Sequence, residues 1–133
     1  MLSPVHLACM LGNLDILRKL MFKYRADFSL KTGQGVTPLH CASFSFNGIV
    51  SIFFMEDCHV EFDPNVRDIN EATPLHYAVM NIEENNIQGL LSLKSDITAL
   101  DSEGNSMLHV ALSRYIKDQE NFNVYKEVIK SML

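Results

Sequence analysis

Short apolar segments with helical spacing recur along the 133-residue chain. In the first, Ile16, Leu17, Leu20 and Met21 follow an i, i+1, i+4, i+5 spacing, which places their side chains on one face of a helix. Later segments carry these apolar residues: Ile87, Leu90 and Leu91, then Val124, Val128, Ile129, Met132 and Leu133. The stretch Ile49–Phe54 is apolar at most of its positions, which predicts the most buried of these helices.

A recurring motif precedes each of these helices and predicts a first, shorter helix. Its four copies, of the form Ser/Thr-Pro-Leu-His-x-Ala, begin at residues 3, 37, 73 and 106, which are 34, 36 and 33 residues apart. Ser and Thr are preferred N-cap residues, and proline is tolerated at the next position because its missing N–H has no helical partner. Histidine falls three residues after the cap, where a side chain can reach back as in a capping box. The motif therefore predicts structural capping roles for His6, His40, His76 and His109.

Polar, turn-forming stretches separate the helix pairs. They are residues 31–35, 67–71 and 101–105, and their glycine and Asx residues supply the backbone conformations that a tight hairpin needs. The sequence therefore predicts a repeating unit of helix, turn, helix and hairpin.

This unit resembles the ankyrin repeat, and the resemblance covers essentially the whole chain. Further residues that match the family pattern are Ala26, Asp27, Asp63, Pro64, Asn65, Asp68, Asp96, Asp101 and Gly104. The resemblance implies an all-α ankyrin-repeat solenoid, in which helix-turn-helix units stack and hairpin loops connect them. We expect a single domain over residues 1–133, with repeats at about 1–35, 36–71, 72–104 and 105–133.

Several features depart from the family pattern. The second unit is about three residues longer, and the extra length is expected after its second helix, near residues 56–61. The fourth unit has Met107 in place of proline and a longer connection over residues 117–123. Neither end carries the polar capping repeat that solenoids usually need. We therefore expect a segment of a longer chain, with fraying or self-association through an end.

Composition narrows the class of partner and the compartment. The formal net charge is −5 and the basic residues are scattered, which argues against nucleic acid as the partner. There is no signal-peptide pattern, and the apolar run Ile49–Met55 is too short to span a membrane. The three cysteines have no metal-ligand spacing. A cytoplasmic location is expected, with the nucleus as an alternative.

No catalytic or metal-binding arrangement is predicted. Equivalent histidines in stacked units lie roughly 10 Å apart, whereas zinc needs ligands about 2 Å from one point. His59 is interpreted as an exposed loop residue, and Cys9 and Cys41 as small buried hydrophobes rather than a redox pair. We therefore predict a protein that is not an enzyme and holds no cofactor.

The resemblance implies that the concave groove is lined by hairpin tips and by the exposed ends of the first helices. Three units place Met10, Phe44 and Met80 at one equivalent position, with Ile69 nearby. An exposed apolar row of this kind is typical of protein-binding surfaces, although burial of the row within the stack is the alternative. The predicted partner-binding residues are Met10, Gln34, Phe44, Ser45, Ile69, Asn70, Met80, Asn81, Ser102, Glu103 and Arg114.

Ankyrin repeats serve mainly as protein-interaction modules, so the resemblance implies that the groove binds another protein. A second hypothesis is a regulatory or substrate-recruiting segment of a larger enzyme or channel, such as an ankyrin-type S-acyltransferase. A third is a spacer without any binding surface. Fold alone does not choose among them, because function on a repeat scaffold depends on its surface residues.

Overall fold

The computed structural model describes residues 2–45, 47–57 and 61–117, together with positions 126 and 130. The helices in this part of the chain are α1 (Pro4–Leu11), α2 (Leu14–Phe22), α3 (Pro38–Phe44), a π-helix (Val50–Asp57), α4 (Pro74–Asn81), α5 (Glu84–Ser92) and α6 (Met107–Lys117). His59 and nearly all of the predicted last helix, residues 124–133, lie outside the described residues.

The helices form two stacked rows, which confirms the predicted all-α solenoid. The first helices of the units contact one another in the order α1, α3, α4, α6, and the second row runs through α2, the π-helix and α5. The alanine that ends each copy of the motif is buried in every unit, and these residues are Ala8, Ala42, Ala78 and Ala111. Because alanine has a small side chain, it lets neighbouring first helices approach closely.

The predicted capping boxes are present at the first helices. In α1, α3 and α4 the cap hydroxyl accepts a hydrogen bond from the histidine N–H, while the cap N–H donates to the histidine ring. In the fourth unit the Ser106 N–H donates to Nδ1 of His109 at 3.2 Å. The structural role predicted for the four histidines is therefore confirmed.

The same histidines also join consecutive units. Nε2 lies 2.9 Å from the Val36 carbonyl for His6, 2.9 Å from Ala72 for His40 and 3.0 Å from Asn105 for His76. A carbonyl only accepts, so Nε2 carries the proton, and Nδ1 is left to accept from the cap N–H. Each of these rings therefore ties its own cap to the residue before the next cap.

The second-row helices bury only part of the apolar faces predicted for them. In α2, Leu17 and Met21 are buried, whereas Ile16 is 44% exposed. In the second unit, Ile49, Val50, Phe53 and Phe54 are all buried. The Phe53 ring packs 5.2 Å from Phe28 and 5.3 Å from Phe54, measured between ring centroids.

The second unit departs from its neighbours at the turn between its helices. Residues 45–49 separate α3 from the π-helix, where the first unit has only Gly12–Asn13 and the third only Ile82–Glu83. The expectation that all of the extra length follows the second helix is therefore wrong. The second helix is also π-helical, a wider geometry with i→i+5 hydrogen bonds.

Candidate functional site

The predicted apolar row lies on the surface. Met10, Phe44 and Met80 sit at the same position near the ends of α1, α3 and α4, and each is 42% exposed. Since neighbouring first helices stack side by side, the three side chains form one strip across three units. The alternative that the row is buried within the stack is therefore wrong.

Two clefts open along this strip, one at each boundary between units. Cleft A, of about 560 Å³, is lined by Leu2, Met10, Thr32, Gly33, Gln34, Val36, Cys41, Phe44 and Tyr77. Cleft B, of about 540 Å³, is lined by Phe44, Asp68, Asn70, Ala72, Tyr77, Met80, Asp101, Ser102 and Glu103. Phe44 and Tyr77 line both clefts, so the apolar surface is continuous from the first unit to the third.

Hydrogen bonds within the second and third hairpins hold the polar wall of cleft B. The Asp68 carboxylate accepts from the N–H groups of Asn70 and Ala72, both at 2.9 Å. Asp101 does the same in the third hairpin, accepting from Glu103 and Asn105 at 2.9 Å. These are Asx turns, which explain why an aspartate begins each of these two hairpins.

Neighbouring hairpins are also bonded to each other at their tips. The Ile69 N–H donates to the Gln34 carbonyl at 2.8 Å, and the Ser102 N–H donates to the Asn70 carbonyl at 2.9 Å. The backbone of the three tips is therefore connected, while the side chains of Gln34, Asn70, Ser102 and Glu103 remain exposed.

Tyr77 is a groove residue that the sequence analysis did not identify. Its hydroxyl donates to Oδ2 of Asp68 at 2.5 Å, and its ring lies 4.7 Å from that of His40. Burial, and then the hydrogen bond to Asp68, raise the pKa of Tyr77. The motif itself could have indicated the role of Tyr77, because this tyrosine stands where the first two copies have Leu7 and Cys41. A half-buried tyrosine hydroxyl needs a hydrogen-bond partner.

Hydrogen bonds favour the charged form of the Asp101 carboxylate in cleft B. Burial acts to raise the pKa of Asp101, but hydrogen bonds from Asn105 and Glu103 outweigh it, so the pKa is lowered overall. Glu103 lies at the exposed hairpin tip. Among the described residues, neither carboxylate is in an ion pair.

Ser45 does not belong to the exposed surface, which corrects its prediction as a partner-binding residue. It is 2% exposed, and its hydroxyl donates to the Ala42 carbonyl at 2.7 Å. The reason is that α3 ends one residue earlier than α1 and α4 do in their units. Ser45 therefore follows the helix as its C-cap instead of ending the exposed face.

Asn81 and Arg114 occupy the same unit position as Ser45 and remain accessible, although both also hold neighbouring units together. The Asn81 amide donates to the Phe44 carbonyl, and Nη2 of Arg114 donates to the Met80 carbonyl at 2.7 Å. Arg114 lines a third cleft together with Met80 and His109. Ile69 is 65% exposed at its tip but is not among the described residues that line cleft A or B.

Asn86 is a structural residue that the sequence analysis missed. It is buried in α5, where its amide donates to the carbonyls of Ala42 and Ser45 at 3.1 and 2.8 Å. Its Oδ1 accepts from the Val50 N–H at 3.1 Å. One side chain therefore satisfies backbone groups on both sides of the long turn between α3 and the π-helix.

Neither a metal-binding cluster nor a membrane-spanning helix is present among the described residues. No group of three or more His, Cys, Asp or Glu side chains in this part of the chain is arranged to hold a metal ion. Within the same residues, no helix has the length and apolar character needed to cross a membrane.

Comparisons with known proteins agree with the repeat architecture. The family model for ankyrin repeats (many copies) matches residues 5–55. The chain is 34% identical over 116 residues to the transient receptor potential cation channel subfamily A member 1 of Drosophila melanogaster, covering 83% of this chain and 9% of that protein. It is 30% identical over 110 residues to the neurogenic locus notch homolog protein 1 of Mus musculus, covering 82% of this chain and 4% of that protein.

A third relative is the ankyrin and armadillo repeat-containing protein of Homo sapiens, with 26% identity over 128 residues, covering 96% of this chain and 8% of that protein. The chain thus spans less than a tenth of each of these relatives. With four copies of the capped motif, two stacked rows of helices and this family match, the chain is an ankyrin-repeat protein.

Proposed function

We propose that this chain is a protein-interaction module that binds a partner protein through its concave groove and hairpin tips. The observation that carries the proposal is the continuous apolar strip of Met10, Phe44, Tyr77 and Met80 beside exposed polar tips. Exposed apolar residues in one contiguous patch, bordered by polar residues, are typical of protein-binding surfaces.

The first test is a double substitution, Phe44→Ala with Met80→Ala. Both side chains are 42% exposed and neither belongs to the buried core cluster, so the variant should stay folded, as checked by circular dichroism and thermal melting. Affinity capture from lysate with the native chain identifies a partner, whose affinity for both proteins is then measured. Loss of two anchor residues should weaken binding by about 30-fold or more, since hot-spot residues each contribute on the order of 2 kcal/mol.

The matched control is Tyr24→Ala with Met55→Ala, which also removes two exposed apolar side chains but at positions that line neither cleft A nor cleft B. The control should bind like the native chain. Equal loss of binding in both variants would contradict the groove assignment, and a chain that captures nothing would favour the spacer hypothesis.

The second candidate is an ankyrin segment of a larger channel or enzyme, and the similarity to a cation channel subunit favours the channel form. In that case the groove would recruit substrates for the channel or enzyme domain of a longer polypeptide, or would regulate that domain. Sequencing the complete reading frame tests this directly, because it should contain membrane-spanning helices or a catalytic domain beside the repeats. A cytoplasmic location, with the nucleus as the alternative, is part of the proposal and is checked by fluorescence microscopy of the tagged protein.

A further inference from the structure

The two clefts of the groove differ in charge. Among the described residues that line cleft A, none is charged, and the floor is formed by side chains such as Met10, Val36 and Phe44. Cleft B is also lined by apolar side chains, Phe44 and Met80 among them, but it carries three carboxylates, those of Asp68, Asp101 and Glu103. The acidic groups are therefore concentrated at one end of a continuous apolar strip.

Among the described residues, no lysine or arginine forms an ion pair with a carboxylate of this acidic end. No Lys or Arg is among the described residues lining cleft A or cleft B. The ion pairs in the described part of the chain are Arg18–Asp57 and Arg67–Glu71, and neither includes a cleft carboxylate. The hydrogen bonds that Asp68 and Asp101 accept come from neutral N–H and O–H groups and not from cations.

The spacing of the clefts sets the geometry of a ligand that fills both. Stacked helices lie about 8–10 Å apart, so clefts at successive unit boundaries are offset by roughly that distance. A polypeptide in the extended polyproline II conformation advances about 3.1 Å per residue with three residues per turn, so the side chains of residues i and i+3 lie on one face and cover the offset. A helix rises only about 1.5 Å per residue and would need about six or seven residues for the same span.

The geometry points to an extended segment of a partner protein that places an apolar side chain in cleft A and a Lys or Arg about three residues away over the carboxylates of cleft B. This inference rests on the proposed function, because it assigns the chemistry of the ligand to the same groove. The unpaired acidic end attracts a cation and repels phosphates and acidic segments. The apolar side chain of the ligand binds at the neutral end, where no charged group of the cleft has to lose its hydration.

The probes for the test are fluorescein-labelled peptides of twelve residues in a Gly-Ser frame. Each has Leu, Ile, Phe or Met at one position and, three residues to either side, Lys or Arg, Asp or Glu, or Ser. Binding to the 133-residue chain is followed by fluorescence anisotropy. The basic set should bind about 10-fold tighter than the serine set, the acidic set more weakly than both, and added salt should reduce the preference.

Two variants that remove negative charge from cleft B test whether its carboxylates cause the preference for the basic set. In the double variant Asp101→Asn with Glu103→Gln, the affinity for the basic set should fall to within about twofold of the affinity for the serine set. The single variant Glu103→Gln should lose part of the difference in affinity between the two sets. Asparagine keeps an oxygen that can accept the two hairpin N–H groups. The control, Glu56→Gln with Glu84→Gln, makes the same change in net charge at exposed positions that line neither cleft, and it should keep the full preference.

The outcomes separate this inference from the proposed function. If all three sets bind alike and Phe44→Ala with Met80→Ala abolishes binding, the groove function stands and the basic ligand is wrong. In a further peptide set with the charged residue seven positions from the apolar residue, a preference for Lys or Arg that is absent at three positions would overturn the extended geometry. Dimerisation of the chain that the same alanine variant abolishes would show that a second copy fills the groove. Absence of binding by every set would overturn both proposals.

Discussion

At the residue scale, Glu71 occupies a backbone position that the other two hairpins fill with glycine. Its φ is 60°, close to the φ of 75° at Gly35 and 80° at Gly104, and all three residues lie two positions before a helix cap. The left-handed conformation costs a residue with a side chain roughly 1–2 kcal/mol. Glutamate is therefore strained there, whereas glycine is not.

We predict that Glu71→Gly stabilises the chain by about 0.5–1 kcal/mol relative to Glu71→Gln, measured as the free energy of unfolding in urea. The gain is smaller than the strain because glycine has more conformational freedom to lose on folding. The glutamine variant is the control, since it also removes the exposed contact with Arg67 but keeps the strained backbone. Equal stabilities would mean that the hairpin relaxes around Glu71 without strain.

At the scale of a helix, the capping histidine of α3 connects stability to pH. Burial lowers the pKa of His40, and the charges of Lys31 and His76 lower it further. The hydrogen bond to the Ala72 carbonyl and the charge of Asp68 act in the opposite direction but do not cancel the shift. Protonation would also put a hydrogen on Nδ1, which faces the Thr37 N–H at 3.1 Å. The helix cap therefore requires the neutral ring.

Because the folded-state pKa of His40 lies below the unfolded value of about 6.5, the unfolded chain takes up the proton first. The contribution of His40 to stability should be complete above pH 6.5 and should decrease as the pH falls from there toward the folded-state pKa. Urea unfolding at pH 7.5 and 5.5 measures this loss. His40→Gln, whose amide can both accept and donate but does not titrate, should lose less stability; an equal loss would assign the acid sensitivity to other groups.

At the scale of the whole molecule, the first unit exposes side chains that the inner units cover. Leu7 and Leu11 are 46% and 71% exposed, whereas Cys41, the residue of the second unit equivalent to Leu7, is buried. The difference arises because α1 stacks against α3, while the other side of α1 has no neighbour among the described helices. This leaves an apolar end face on the first unit.

We predict that the 133-residue chain self-associates through this face at high concentration. Sedimentation velocity at increasing concentration should show a growing dimer fraction, and Leu7→Glu with Leu11→Glu should reduce it. The control is Leu30→Glu with Leu100→Glu, which changes two exposed leucines on the connecting loops instead. A native chain that stays monomeric throughout would rule out association through the end.

The repeat, its caps and its hairpins could be predicted from the sequence because they depend on residues close together along the chain. A cap and its histidine are three residues apart, and an Asx turn spans two to four residues, so each leaves a local pattern. Periodicity then placed Met10, Phe44 and Met80 at one equivalent position, which is where the structure has them. These predictions needed no knowledge of how the units pack.

The tertiary structure decided what depends on neighbouring units. Ser45 is buried and Asn86 is used internally because of contacts between residues about forty positions apart, as in the hydrogen bond from Asn86 to Ser45. The π-helix and the longer turn before it replaced the expected insertion after the second helix. The pairing of Tyr77 with Asp68 and the division of the groove into a neutral and an acidic cleft follow from the order in which the units stack. Local patterns carry no information about which side chain the next unit brings near, and that is why only the folded chain determines the chemistry of the groove.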